Sequence, residues 1–247
     1  MNQNFKNIVL IKFKTSPSSD STWQLPPENL SLLKNEVHLW RQSLNIATDE
    51  VEQLANILAP DERERADRFR FSIHRQRFIV ARATLRKILS SYLDLEPTKV
   101  QFQYSDRGKP SLIDNKIDFN ISHSQDLAIY GFTKNRKIGI DLEYLRDMPD
   151  ADNLAKRFFS ANEYREIAVL QTIEKQQTFF KIWTAKEAYL KATGEGLIGL
   201  DDVEIVCTSQ EVKIARIKQN YRAALNWYLS SFKIDRSYMA AIAVEWN

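Results

Sequence analysis

The order of strand-like and helical segments along the chain predicts an α+β fold. Strand-like segments come first, long helical segments follow, and strand-like segments return towards the carboxyl end, without the regular alternation of a doubly wound sheet. Neither a GxGxxG nor a GxxxxGK[ST] loop occurs, which excludes the nucleotide-binding folds built on those loops. A chain of 247 residues can form one large domain or two smaller ones, each with its own core.

Composition and charge indicate a globular protein without a bulk affinity for nucleic acid. The 43% hydrophobic and 27% charged residues exclude a disordered or collagen-like chain, and the net charge is only +3. The single cysteine, Cys207, cannot form an intramolecular disulfide, and we expect it to be a buried small hydrophobe in a reducing compartment. The apolar run over 8–11 is too short for a signal peptide core or a membrane span, so we expect a cytoplasmic protein.

Periodicity and turn residues predict the elements of the first quarter of the chain. Alternation predicts strands, a cluster of Ser and Pro predicts a loop, and helical spacing precedes a proline that opens a second helix. The predicted elements are a strand over 7–14, a loop over 15–27, a strand over 36–44, a helix over 48–58 and a helix starting at Pro60.

The stretch over 61–90 combines nine Arg or Lys with four acidic residues. Basic residues recur there at helical intervals beside an apolar set, which predicts a helix with one core face and one basic flank. The flank is either a solvated surface or an anion site, because guanidinium groups match the geometry of phosphate.

The remaining elements follow from the same signals. Ser160 and Glu163 have the spacing of a capping box, which predicts a helix start, and Gly194 is placed to end that helix. The predicted elements are strands over 101–104 and 118–122, a hairpin of 127–133 with 137–144 joined by 134–136, a helix over 160–193, and strands over 203–207, 212–217, 224–232 and 238–244.

A predicted strand carries two acidic residues on one face. Asp141 and Glu143 project from the same side, about 7 Å apart along the strand, while Ile140 and Leu142 face the other side. Two neighbouring carboxylates repel each other unless a cation lies between them, and this donor set suits Mg²⁺ with a phosphate substrate. The alternative is an exposed strand whose polar face is acidic.

Three further features supply cations and polar groups. Glu187 and Lys191 form an i, i+4 pair, which also occurs as plain surface stabilisation. His123 follows a strand and is either a structural hydrogen-bonding residue or a functional one. Lys109 lies in a predicted turn. Together with the acidic strand and the basic helix, this inventory suits Mg²⁺-dependent phosphoryl or phosphodiester chemistry.

The motifs occur in the order and approximate spacing of a known family. The motifs are Gly108-Lys109-Pro110, Phe119-Asn120-Ile121-Ser122-His123-Ser124, Gly139-Ile140-Asp141-Leu142-Glu143, Arg157-Phe158-Phe159-Ser160 with Glu163, and Trp183-Thr184-Ala185-Lys186-Glu187-Ala188 with Lys191. They resemble those of the 4′-phosphopantetheinyl transferases, in the larger Sfp-type monomeric branch rather than the short holo-acyl-carrier-protein synthase branch. The resemblance covers about residues 36–200.

The resemblance implies two similar α+β halves related by pseudo-two-fold symmetry, with the active site in the cleft between them. The halves would be residues 1–135 and 136–247, joined near 134–138. The implied reaction transfers the 4′-phosphopantetheine of coenzyme A to a serine of an apo carrier protein and releases adenosine 3′,5′-bisphosphate. Carriers of fatty acid, polyketide, nonribosomal peptide and lysine pathways all remain open, and the implied protein is a monomer without nucleic-acid or membrane partners.

The resemblance also implies roles for individual residues. Glu187 would be the general base, Lys191 would neutralise charge on the leaving side, and Asp141 would share in catalysis through the metal. The sequence departs from one relative at Glu62, where that relative has a lysine. The implied Mg²⁺ (or Mn²⁺) ligands are Asp141, Glu143 and Glu187. The implied coenzyme A contacts are Arg65, Arg77, Arg82, Lys109, Pro110, Ser122, His123 and Lys191.

Two other functions fit parts of the pattern. A relative that binds carriers without modifying them would have lost a metal ligand or the lysine, yet Asp141, Glu143, Glu187 and Lys191 are all present. A Mg²⁺-dependent nuclease would need a long basic surface and a second acidic cluster, and the sequence offers neither. Phe158, Phe159 and Tyr164 are either core residues, the prediction for both phenylalanines, or part of a docking patch for the carrier.

Overall fold

The computed structural model describes residues 8–13, 23–27, 29–113, 117–208, 211–218 and 221–246. It confirms the α+β fold. Most of the predicted loop over 15–27 lies outside the described residues.

The strands are β1 (Ile8–Phe13), β2 (Val37–Ser43), β3 (Phe102–Tyr104), β4 (Pro110–Leu112), β5 (Asp118–Ser124), β6 (Leu127–Thr133), β7 (Ile138–Tyr144), β8 (Val203–Cys207), β9 (Val212–Ile217), β10 (Trp227–Lys233) and β11 (Tyr238–Glu245). The helices are α1 (Thr48–Ala55), α2 (Pro60–Asp67), α3 (Ser72–Leu93), α4 (Ala151–Phe158), α5 (Ala161–Ala168) and α6 (Thr172–Thr193).

Each half of the sequence contributes one larger antiparallel sheet, one two-stranded antiparallel sheet (β3-β4 or β8-β9) and one 22-residue helix. The first sheet has the order β1-β2-β6-β5 and shares a core with α3, whereas the second has the order β10-β11-β7 and packs against α6. Both helices end at a residue in the left-handed region, Asp94 after α3 and Gly194 after α6. This repeated plan agrees with two similar α+β halves.

An apolar layer joins the two sheets. Its members come from β1, β2 and β6 on one side and from β7 and β11 on the other, so the sheets share a core in addition to the core beneath each long helix. Burial of this layer stabilises the fold at roughly 25 cal/mol per Å² of apolar surface. The fully buried members include Leu39, Ile129, Ile138, Ile140 and Ile242.

The predicted hairpin of 127–133 with 137–144 is wrong. β6 pairs with β2 and β5, and β7 pairs with β11. The short connection over 134–136 instead carries the chain from one sheet to the other. It is held there by Arg136, which is 6% exposed and donates a 2.8 Å hydrogen bond to the carbonyl of Glu36.

Both long predicted helices are interrupted. The basic stretch over 61–90 divides into α2 and α3, and the helix predicted over 160–193 divides into α5 and α6. The capping box is confirmed: the Ser160 side chain accepts from the Glu163 amide and Glu163 accepts from the Ser160 amide.

Phe159 is buried in the second core, with Phe158 and Tyr164 partly buried against it. Cys207 is only partly buried. Among the described residues, no helix is long and apolar enough to cross a membrane.

His38 is buried in the first half and should make folding stability sensitive to mild acid. Its Nδ1 lies 2.6 Å from Tyr92 Oη and its Nε2 lies 3.3 Å from Glu36. Burial, aided by Lys12, lowers the pKa of His38 to about 4. The unfolded histidine takes up a proton near pH 6.5, so stability should fall between pH 6.5 and 4, by up to about 3 kcal/mol. Urea unfolding at pH 7 and pH 4.5 measures this loss.

The control for that prediction removes the titrating ring. In His38→Gln the loss of stability between the two pH values should be smaller than in the native chain, since other groups still titrate. An equal loss in both proteins would show that His38 does not cause it.

Candidate functional site

Strands β5 and β7 and helix α6 bring three predicted site residues into direct contact. Lys191 Nζ lies 2.6 Å from Asp141 Oδ1 and 3.0 Å from Ser122 Oγ, and Ser122 Oγ donates to Asp141 Oδ1 at 3.1 Å. Asp141 is 4% exposed and Ser122 is 6% exposed, while the Lys191 side chain is about one-third exposed. The two halves of the sequence therefore meet at a lysine, a carboxylate and a hydroxyl.

Gly139 sets the distance between β7 and α6. A Cβ at this position would overlap the carbonyl oxygen of Ala188 and the backbone nitrogen of Ala192. The strand bearing Asp141 can therefore lie directly against the helix turn that bears Lys191 only because residue 139 has no side chain.

Replacing Gly139 by alanine should damage both stability and activity. The overlap is with backbone, which cannot rotate away, so β7 and α6 must separate at an expected loss of about 2–3 kcal/mol in the free energy of unfolding. Urea unfolding measures this loss. The matched control is Gly131→Ala in β6, where a Cβ would meet the movable end of the Ile138 side chain and the loss should be smaller. Equal losses in the two variants would contradict the close-packing role of Gly139.

The carboxylates at the site repel one another. Burial, followed by the negative charge of Asp141, raises the pKa of Glu143, and Lys191 opposes this rise. Burial and Asp141 likewise raise the pKa of Glu187 to about 7, again with Lys191 acting in the opposite direction. Three acidic side chains therefore lie in one region, and the positive charge of Lys191 is not enough to cancel their mutual repulsion.

This donor set fits a divalent cation that also binds a substrate phosphate. Asp141 Oδ2 is buried and has no hydrogen-bond partner, so one carboxylate oxygen is available as a ligand. Across the described parts of the chain, no three His, Cys, Asp or Glu side chains are grouped so that they could hold a metal ion by themselves. Divalent cations such as Mg²⁺ commonly bind through only one or two carboxylates, with water and phosphate oxygens as their other ligands.

His123 and Arg77 lie at the end of β5 beside the site. Arg77 donates through Nε and Nη2 to Asp126 Oδ1, at 3.1 and 2.8 Å. Partial burial, together with the positive charges of Lys191 and Arg77, lowers the pKa of His123. His123 therefore lies close enough to Lys191 and Arg77 for their positive charges to disfavour its protonation, and a bound anion would oppose that effect.

Arg82, predicted to contact coenzyme A, lies inside the first half. It is 8% exposed, its Nε lies 3.4 Å from Glu62 Oε1, and its Nη2 donates to Tyr104 Oη at 3.1 Å. Glu62 also binds Arg86 at 2.6 Å. Part of the predicted basic flank thus neutralises a buried glutamate, which leaves the Arg82 guanidinium without an open face for phosphate.

Lys109 is also engaged elsewhere. Its ammonium donates to the backbone carbonyls of Ile138, Lys191 and Ala192, which uses its three N–H groups. Burial lowers the pKa of Lys109 to about 8. The Lys109 ammonium therefore binds backbone carbonyls of β7 and of the carboxyl end of α6, and none of its N–H groups is left for phosphate. The neighbouring Pro110 begins β4 and is partly buried.

Arg65 is exposed on α2, with its guanidinium carbon 5.2 Å from the centre of the Phe78 ring. The structure does not bring it into contact with the carboxylates. Ser124 was not among the predicted site residues, yet it reaches the site, because its Oγ lies 3.4 Å from Glu143 Oε2. The period-two spacing of Ser122 and Ser124 was the available signal, since alternate residues of a strand share a face.

Two family models match the chain on either side of the connection between the sheets. One, the 4′-phosphopantetheinyl transferase superfamily model, matches residues 137–243, and the other, the 4′-phosphopantetheinyl transferase N-terminal model, matches residues 42–133. The chain is 45% identical over 227 residues to the 4′-phosphopantetheinyl transferase HetI of Nostoc sp., covering 90% of this chain and 93% of that protein. The chain belongs to the 4′-phosphopantetheinyl transferase family. This confirms the resemblance that the motifs indicated.

More distant members of the phosphopantetheinyl transferase family match as well. The transferase Sfp of Bacillus subtilis is 27% identical over 80% of this chain and 86% of its own length. Among solved structures, the holo-[acyl-carrier-protein] synthase of Thermotoga maritima is 22% identical over 45% of this chain and 64% of its own, with a TM-score of 0.36.

Proposed function

We propose that this protein transfers the 4′-phosphopantetheine group of coenzyme A to a serine hydroxyl of an apo carrier protein. Its membership of the 4′-phosphopantetheinyl transferase family supports this reaction. The observation that carries the proposal is the contact of Lys191 with Asp141 and Ser122, next to a glutamate whose pKa is raised to about 7. This contact supplies a cation, a buried carboxylate and a proton acceptor at one place.

The reaction needs a proton acceptor for the attacking hydroxyl. A new bond forms between the serine Oγ and the β-phosphorus of coenzyme A, and the bond from that phosphorus to adenosine 3′,5′-bisphosphate breaks. Glu187 takes the hydroxyl proton, directly or through water, and its raised pKa is near the value at which a general base is effective at neutral pH. Lys191, one helical turn further on, neutralises the charge on the leaving side.

Asp141, Glu143 and Glu187 would hold a divalent cation, Mg²⁺ or Mn²⁺. When bound, such a cation supplies charge neutralisation to the pyrophosphate. The unpartnered Oδ2 of Asp141 supports this assignment. Lys191 orients Asp141 through its 2.6 Å contact.

The coenzyme A end of the site would lie along His123 and Arg77, with Arg65 as a further cation for the 3′-phosphate. The proximity of His123 to Lys191 and Arg77 supports an anion there, since the ring and the guanidinium can both donate hydrogen bonds to phosphate. Residues 1–135 and 136–247 would form the two halves of a monomeric, cytoplasmic enzyme. Its partner would be an acidic acyl or peptidyl carrier protein, with no nucleic-acid or membrane partner.

The test is intact-mass spectrometry of apo carrier proteins incubated with this protein, coenzyme A and Mg²⁺, in parallel with a sample containing EDTA. We expect a gain of one phosphopantetheine that EDTA prevents. Carriers from fatty acid, polyketide and nonribosomal peptide pathways should be compared, since their relative rates indicate the native partner.

Failure has two distinguishable forms. Binding of coenzyme A without any mass gain across several carriers would identify a non-catalytic relative. Neither binding nor a mass gain would overturn the proposed reaction and its site together.

A further inference from the structure

The two larger sheets meet where β5 lies beside β7. In this contact, called the seam below, backbone amides of β7 donate hydrogen bonds to side chains of β5 instead of to its backbone carbonyls. β5 is the last strand of the first sheet and β7 is the last strand of the second. Every second residue of β5 accepts a hydrogen bond from every second amide of β7, in parallel register. The bonds run from the amide of Ile140 to Asn120 Oδ1 at 2.9 Å, from Leu142 to Ser122 Oγ at 3.2 Å, and from Tyr144 to Ser124 Oγ at 3.1 Å.

The seam satisfies amides that would otherwise be unpaired at a buried sheet edge. Backbone N–H groups removed from water need an acceptor, and the next strand normally supplies it at a spacing of about 4.8 Å. Here a side chain lies between the two backbones. The serine hydroxyls that accept these bonds each retain a hydrogen to donate.

Both hydroxyls use that hydrogen on a carboxylate of β7. Ser122 Oγ donates to Asp141 Oδ1 at 3.1 Å, and Ser124 Oγ donates to Glu143 Oε2 at 3.4 Å. Ser122 also accepts from Lys191 at 3.0 Å, so its one donor and two acceptor positions are all occupied. Each serine hydroxyl on β5 therefore binds both a backbone amide of β7 and the carboxylate of a neighbouring β7 residue.

We propose that Ser124 is a positioning residue that orients Glu143 for the divalent cation, with Ser122 doing the same for Asp141. The inference rests on the proposed function for the identity of the cation. Hydrogen-bond donors behind a ligating carboxylate restrict its rotation, and removing such a partner commonly weakens metal binding by about 10–100-fold. The first half of the chain thus contributes to the cation site although the three carboxylates belong to the second half.

Asn120 provides a matched control within the same seam. It accepts from the Ile140 amide, as Ser122 and Ser124 do from theirs, and no contact between its side chain and a carboxylate is among its hydrogen bonds in the described part of the chain. Loss of a seam bond alone should lower stability, whereas loss of the carboxylate contact should also weaken cation binding. Asn120→Ser keeps an oxygen at the position if Asn120→Ala does not fold.

The experiment titrates MnCl₂ into the full-length protein with coenzyme A present, by calorimetry, for the native chain, Ser124→Ala, Ser124→Thr and Asn120→Ala. Urea unfolding is measured on the same samples. We expect Mn²⁺ binding about 10-fold weaker in Ser124→Ala, restored in Ser124→Thr, and changed less than about twofold in Asn120→Ala despite its lower urea midpoint. In carrier modification, Ser124→Ala should raise the Mg²⁺ concentration for half-maximal rate more than it lowers kcat.

Each other result counts against the proposal. Equal Mn²⁺ affinity in Ser124→Ala and the native chain would overturn the role of Ser124 while leaving the transfer reaction intact. Equally weakened binding in Ser124→Ala and Asn120→Ala would show that the seam acts only through stability. Absence of Mn²⁺ binding by the native chain would overturn the cation site, and the role of Ser124 with it, even if transfer occurs.

Discussion

Asp141→Ala should reduce phosphopantetheine transfer by at least about 1,000-fold, which corresponds to about 4 kcal/mol of transition-state stabilisation. Asp141 contacts both Lys191 and Ser122 and has one buried oxygen without a partner. Its removal therefore takes away a cation ligand and the partner that orients Lys191. Transfer rates at saturating coenzyme A and carrier, measured by intact-mass spectrometry, test this prediction.

The same variant should remain folded. Asp141 raises the pKa of both Glu143 and Glu187, which means that the three carboxylates repel one another. Removing one charge relieves that repulsion and offsets the lost ion pair with Lys191, so the urea midpoint should change little. A large fall in the midpoint would attribute the lost activity to unfolding instead.

Glu187→Gln is the companion variant, and Asp202→Ala is the control. Glu187→Gln removes the proton acceptor but keeps the shape of the side chain, so transfer should again be nearly abolished in a folded protein. Asp202 pairs with Lys218 at 3.3 Å at the surface, and its loss should leave the rate within about twofold. Native-like rates in either Asp141→Ala or Glu187→Gln would refute the roles assigned to that residue.

Local signals in the sequence were sufficient where a structural element depends on its own residues. The Ser160–Glu163 capping box and the terminating Gly194 appear as predicted, because both depend on backbone groups within a few residues. The proximity of Asp141 and Glu143 likewise followed from strand periodicity alone. The start of α5, the end of α6 and the acidic strand could therefore be predicted with no tertiary information.

Pairing between distant segments could not be predicted in this way. The short connection over 134–136 suggested a hairpin, but β6 pairs with its preceding neighbour β5 and with the distant β2, and β7 pairs with the distant β11. The period-two pattern specifies which face of a strand is buried and does not specify the neighbouring strand.

Buried charges explain the remaining differences at the site. Arg82 and Arg86 have the helical spacing of a basic surface, yet both turn inward to Glu62. Sequence alone does not show that this glutamate is 2% exposed and needs compensation. The same reasoning applies to Lys109, two of whose three acceptors are carbonyl groups at the end of a helix more than 80 residues away.

Lys186→Met should destabilise the protein by about 3–5 kcal/mol, because it leaves a buried carboxylate without its cation. Lys186 is fully buried, lies 2.8 Å from Glu163 Oε2 and donates to the carbonyls of Leu200 and Val203. Glu163 is 1% exposed and also accepts from the amide of Ile205. The pair thus ties α5, α6 and the start of β8 together, one residue before Glu187. Urea unfolding of the variant measures the loss.

A double-mutant cycle separates the ion pair from lost packing. Neutralising the partner as well, in Lys186→Met with Glu163→Gln, should recover part of the stability, since no unpaired charge then remains buried. The exposed pair of Lys213 and Glu211, at a similar distance of 2.7 Å, is the matched control, and Lys213→Met should change stability by less than about 1 kcal/mol. Equal losses in Lys186→Met and Lys213→Met would show that burial does not determine the strength of the Lys186 contact. Because Glu187 is carried on the same helix turn, the single variant should also lose transfer activity, and the double variant should regain it in proportion to its recovered stability.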